Sequence, residues 1–237
     1  MLSAEAVRLL AVETLLPTAS LPDGPFPTMA RGRVLDSRPA AIADLDRAAP
    51  YTPVVSLYTP ESGARLRGPH APAGDTEADC ILDVVCELAV VASDPQSGAP
   101  DYVAAMAETD PTARLVLAAL AAQVRHLLER SAAGGPWRRI VRQVREIEIK
   151  TYGVPEYGLR WHGMVLRFHL SIPDDDFDLA GGLPQPLRQI AEALPAGSYA
   201  KAKLAELADA FAAEAPAALT EMRGVTAAEG IVFGVTD

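Results

Sequence analysis

The side chains able to ligate a metal or to act as nucleophile or base are few, and their spacing joins none of them into a site. The histidines are His70, His126, His162 and His169. His70 falls in a Gly-Pro-His loop, and His126 lies in a helical stretch with no second histidine one turn away. His162 and His169 stand seven apart, on opposite faces of a regular strand. None has a Cys, His or carboxylate neighbour at zinc-ligand spacing. Cys80 and Cys86 lie six apart in one alternating run. They share a face at a separation of roughly 20 Å, beyond the roughly 7 Å between Cα atoms that a disulfide can bridge. The Asp174-Asp175-Asp176-Phe177-Asp178 run offers oxygens to a hard cation, but it lacks the ligand spacing and distal Glu of a calcium loop and reads as a solvated linker. Gly134-Gly135 and Gly181-Gly182 are turn signals without the spacing of a phosphate loop, and no serine sits in a nucleophile elbow. The chain is therefore expected to have no catalytic residue, no cofactor and no metal.

Two groups of charged residues remain. Arg138, Arg142 and Arg145 recur at helical spacing between Pro136 and Lys150, beside the apolar row Trp137, Ile140, Val141, Val144 and Ile147. They form either a solvated helix face or a subunit contact. In a contact, Arg buries its stem and pairs with carboxylates of a neighbouring copy, such as Asp44, Asp46 or the Asp174–Asp178 run. Asp36, Ser37 and Arg38 end a short strand before Pro39. A locally capped turn accounts for them, and so does a position at a subunit boundary.

The elements that must hold these residues follow from periodicity. Ser3–Leu16 reads as a helix stopped by Pro17, and Arg33–Ser37 as a short strand. Ala40–Ala48 holds one or two helical turns, and Pro53–Thr59 is a second strand. Residues 60–76, rich in Gly, Pro and charge, read as an exposed loop. Glu77–Ala92 alternates, with Cys80, Leu82, Val84, Cys86 and Leu88 on one fully apolar face, so these five are expected to line the core under two long helices. A helical turn at Tyr102–Glu108 precedes Asp110-Pro111, which opens a helix running to about Arg130. Pro136 opens a second helix to about Lys150, and Leu159–Ile172 is another long strand. Beyond Pro173 the acidic linker leads to helices over Leu187–Leu194 and Tyr199–Glu214 and a short strand at Gly230–Val235. The expected fold class is α+β: a mostly antiparallel or mixed sheet with two long helices packed on one face, over residues 1–172, plus a mainly helical extension over 173–237.

The stretch Ala30–Glu61, with Arg33-Val34-Leu35-Asp36-Ser37-Arg38 leaving the first helix and Pro53-Val54-Val55-Ser56-Leu57-Tyr58-Thr59 entering the sheet, resembles the tail terminator proteins of tailed bacteriophages, the minor tail protein U family. The order of elements over residues 1–172 is similar too, including the Pro136-Trp137 helix start and the last strand, while the extension departs from the short members of the family. The resemblance implies a structural virion protein rather than an enzyme. It would form a ring, a homohexamer, on the head-proximal end of the tail tube, made in the host bacterial cytoplasm. Such a ring ends tube polymerisation and joins tail to head. Its partners would be further copies of itself, the tail tube protein, a neck or head-completion protein and a sheath where one exists. Genome DNA would pass through without specific binding. On the same resemblance Asp36 and Arg38 lie near the subunit boundary. Another neck or head-completion protein, a sheath-associated assembly protein and a cytosolic enzyme with an unrecognised site are the other readings open to this sequence.

Charge and hydropathy limit these readings. The net charge is −10, split as −3 over residues 1–172 and −7 over 173–237. No basic block exists to grip phosphates. No apolar run reaches the roughly 18–20 residues of a membrane span. Glu5 and Glu13 inside the N-terminal apolar stretch are unlike a signal peptide.

Overall fold

The computed structural model describes residues 1–44, 46, 49, 51–72, 74–90, 111–156, 159–177 and 182–212. The expected turn at Tyr102–Glu108, the strand at Gly230–Val235 and Asp178 lie outside the described residues. The chain divides into two units, Met1–Asp174 and Asp175–Asp237.

The first unit is an α+β fold built on a five-stranded mixed sheet. In chain order the elements are α1 (Leu2–Leu15), β1 (Val34–Asp36), β2 (Tyr51–Leu66), β3 (Thr76–Val90), α2 (Pro111–Glu129), α3 (Gly135–Ile140), β4 (Gln143–Glu156) and β5 (Leu159–Ile172). A single turn of 3-10 helix, Ile42–Asp44, lies between β1 and β2. The strand order is β1-β2-β3-β5-β4, with β1 parallel to β2 and every other pair antiparallel. Placing β5 between β3 and β4 makes β5, not β4, the partner of β3. Helices α1 and α2 pack against the sheet on one face, and α1 also touches α3.

Helix α1 is buried almost all round, from Ser3 through Leu15, because the sheet lies on one side of it and α2 and α3 on the other. Cys80, Leu82, Val84, Cys86 and Leu88 of β3 are all buried, as the alternation predicts, and face Leu170, Phe168, Leu166, Met164 and His162 of β5 in register. Both thiols are free, and burial pushes each up to about 12, so they are inert core residues. Trp137 of α3 is fully buried and meets Phe168 edge-on at 6.2 Å.

Two expectations are overturned. The helix expected from Pro136 to Lys150 ends at Ile140, and Gln143–Glu156 is the strand β4. Val144, Ile147, Ile149 and Thr151 are β-branched, which disfavours a helix and suits a pleated surface. A bulge between Val144 and Glu146 hides their alternation, since it leaves Arg145 without a register partner on β5. The loop expected over 60–76 is largely a hairpin, with Glu61–Leu66 paired to Thr76–Ile81. It carries cross-strand ion pairs, Arg65–Glu77 at 3.5 Å and Arg67–Asp75 at 3.4 Å, instead of an apolar face, and so gives no hydrophobic signal.

In the second unit Asp176 and Gln185 exchange two main-chain hydrogen bonds of 2.9 Å. Helix α4 spans Leu187–Ala193, and a further helix covers 199–212. Ser198 accepts from the Lys201 amide at 3.1 Å as its N-cap. Phe177 packs edge-on against Phe211 at 5.9 Å. Asp174, at the end of the first unit, accepts a hydrogen bond from the Thr76 hydroxyl, so that carboxylate is not merely a solvated linker group.

Candidate functional site

Asp36 lies at the end of β1 and is held from α1. Arg8 Nε donates to its Oδ1 at 2.5 Å, and the two side chains are only 13% and 11% exposed. The same guanidinium donates to Thr59 Oγ1 at 2.9 Å and to Glu5, and Thr59 in turn donates to Glu5 Oε1 at 2.8 Å. The cluster is closed by residues of one chain. Asp36 thus joins α1 to the sheet. Ser37, next in the chain, takes a left-handed backbone at φ 52° and donates its hydroxyl to Asp36 at 3.2 Å, which makes the turn before Pro39 locally capped.

Arg38 and Asp44 form a bidentate pair at 2.8 and 2.9 Å on the surface. Asp44 also accepts from the Ala41 amide at 2.9 Å. The hydrogen bonds from Arg38 come first among the causes that lower the Asp44 carboxyl, and Asp44 in turn raises Arg38. Arg33 donates to the Asp44 carbonyl at 3.0 Å and lies 3.5 Å from Asp46. Asp44 and Asp46, among the carboxylates that a subunit contact would offer the arginines, have partners in their own chain.

The three stripe arginines are not on one helix. Arg138, in α3, donates to the Leu128 and Ser131 carbonyls at 2.8 and 2.7 Å and so closes the C-terminal end of α2. Arg142 lies between α3 and β4, where its amide donates to Ser171 at 2.9 Å, and its side chain is exposed. Arg145 lies in the β4 bulge and reaches Asp79 at 3.1 Å and Glu77 at 3.7 Å on β3. The structure therefore disperses the stripe, and two of its three guanidiniums are engaged within the chain.

The sheet face turned away from the helices instead carries charged rows, interrupted by one that is apolar beyond β4. Its rows follow from register: Glu146, His169, Ile81 and Glu61; then Glu148, Arg167, Asp83 and Tyr58; then Lys150, Val165, Val85 and Ser56; then Tyr152, Gly163, Glu87 and Val54, with Ser56 and Val54 buried. Arg167 and Asp83 pair bidentately at 2.8 and 2.7 Å, and this pairing leads the causes that raise the Arg167 guanidinium. Lys150 sits 2.5 Å from Glu148 and lowers its carboxyl. Tyr152 lies across Gly163, where an added Cβ would meet Cζ at 2.1 Å, and donates to Glu87 at 3.0 Å. Burial, the leading cause, raises both Glu87 and Tyr152 above their ordinary values.

At the β4 bulge this face opens into a cleft of about 490 Å³ lined by Glu61, Ser62, Gly63, Asp79, Cys80, Ile81, Arg145, Glu146, His169 and Leu170. Beside it Glu146, Glu148 and His169 bring three potential ligand atoms within 4.8 Å of one another. Sequence spacing misses this group because its members meet only through the β4–β5 register, and β4 reads as a helix. The donor set of two carboxylates and one imidazole suits a divalent cation. The nearby Lys150 and Arg167 already supply positive charge to Glu148. The arrangement has carboxylates and guanidiniums fixed in ion pairs, and an imidazole 3.6 Å from Glu148. It can present a patterned charged surface to a partner. Among the described residues no helix is long and apolar enough to cross a membrane. In comparison with known proteins, no family model and no curated protein sequence matches this chain.

Proposed function

We propose that this chain is a bacteriophage tail terminator, acting as a ring on the head-proximal end of the tail tube, where it ends polymerisation and offers the surface on which the head docks. One observation carries the reading. The two short motifs that resemble the family, Arg33–Arg38 and Pro53–Thr59, converge on a single residue of the first helix: Arg8 binds Asp36 of one and Thr59 of the other. Further support comes from the open sheet face. Its ion pairs give it a rigid pattern of charge and an excess of carboxylates, suited to matching a protein surface while repelling the DNA that passes through a tube. Function on this reading is surface complementarity and involves no bond breaking, cofactor or membrane. Self-association into a closed ring requires heterologous side contacts between copies, and the tube and neck proteins take the two ends. The test is to add the purified chain to the tail tube protein encoded beside it while the tube polymerises. Tubes of limited length with a ring at one end are expected. Tubes whose length and ends ignore the added chain would overturn the proposal.

A further inference from the structure

Strand β4 is an edge of the sheet, paired with β5 on one side and with no strand on the other among the described residues. Proteins usually keep such edges short or interrupted, yet β4 runs for 14 residues. The bulge interrupts the ladder between Val144 and Glu146, and pairing is regular from Glu146 to Glu156. Within that run is Ile149, 49% exposed although its partner in register, Leu166, is fully buried. The side chains before and after it, on the opposite face, are Glu148 and Lys150.

We propose that β4 pairs antiparallel with β4 of a second copy, Ile149 facing its own counterpart across a twofold axis. The axis stands perpendicular to the sheet, so the helices of both copies stay on one side of a continuous sheet. Residues equidistant from the axis then face each other. Glu148 meets Lys150 twice, Ile147 meets Thr151, and Glu146 meets Tyr152. The two exposed Ile149 side chains cover one another. Three neighbouring centres are worse: an axis at Glu148 or Lys150 sets like charges together, and one at Ile147 sets Glu146 against Glu148. The lysine that would guard the edge against foreign strands is thereby matched only by this chain's own glutamate. In the single chain Lys150 lies 2.5 Å from Glu148, and the second copy offers each charge another opposite partner. The overlap, Glu146–Tyr152, spans roughly 24 Å and buries less than a permanent interface needs. The pair is thus a reversible dimer. An isologous contact of this kind closes at two copies, so it is separate from the side contacts of a ring and does not rest on the functional reading above.

The experiment is sedimentation velocity on the full chain over a wide concentration range, with native mass spectrometry for composition. The wild type should show a concentration-dependent dimer. Lys150→Glu and Glu148→Lys, each alone, should weaken it by roughly tenfold or more, since each puts like charges in register. Mixing the two single variants should restore association as a heterodimer, because the glutamates of one then face the lysines of the other. Glu148→Lys also faces Arg167, so circular dichroism must first show that it folds. Where it does not, Ile149→Arg provides the second arm: it should abolish the dimer with the fold intact. A wild type that stays monomeric throughout, an Ile149→Arg variant that dimerises like wild type, or folded single variants that do not pair on mixing would overturn the proposal.

Discussion

At the residue scale, a few buried polar groups decide how the first unit holds together. Arg8 is the partner of a nearly buried aspartate, and removing one member of such a pair leaves an uncompensated charge. Arg8→Met should therefore destabilise the fold by about 3 kcal/mol, measured by denaturant unfolding. Adding Asp36→Asn should recover part of the loss, because the stranded charge is then gone. Glu87 behaves oppositely to Asp44. Its carboxyl is raised above the ordinary 4.5 by burial, so the fold favours its neutral form. That contribution is complete below the ordinary value and is lost as pH rises through the raised one. Glu87→Gln cannot ionise and keeps an acceptor for the Tyr152 hydroxyl. Its melting temperature relative to wild type should thus rise between about pH 4 and pH 7. A constant difference would mean that Glu87 titrates as if in solvent. The acidic limb of the Arg38–Asp44 pair has the other sign: a lowered carboxyl stabilises above its ordinary value and stops doing so as pH falls through the folded one. Most of this was hidden in the sequence. Asp36 and Arg38 stood out as charged residues at a strand end, but their partners lie 28 residues away for Asp36 and only six for Arg38. The capped-turn alternative describes Ser37 well.

At the scale of elements, the long alternating strands β3 and β5 and the helix α2 were legible, because one buried face imposes period two or 3.6 on the chain. Strand β4 was not. Val141, Val144 and Ile147 recur at helical spacing, and a bulge at Arg145 interrupts the alternation that would have corrected it. The consequence is that the three arginines need separate tests. Arg138→Ala removes two hydrogen bonds from a charged donor at the end of α2 and should cost roughly 1.5–3 kcal/mol. Arg142→Glu, on an exposed side chain, should change stability by no more than about 0.5 kcal/mol. Comparable losses from both would mean that Arg138 does not cap α2. Gly134 makes the same joint: a Cβ there would lie 2.2 Å from the Leu127 carbonyl. Gly134→Ala must shift backbone, and should lower the melting temperature more than Gly135→Ala, where an added Cβ meets nothing within 4 Å.

At the scale of the whole molecule, the first unit has one face sealed by helices and the other patterned with charge, with a long edge strand beside it. On the proposed reading as a tail terminator, these surfaces would meet tube, neck and neighbouring copies. The α+β class was legible in the order of apolar periodicities. The charged face was not, since its rows exist only once four strands are in register. The most direct measurement is electron cryomicroscopy of tail tubes assembled with and without this chain. The account predicts a single closed ring of copies on one end of each tube and no growth beyond it. Bare tube ends, or copies scattered along the tube wall, would contradict it.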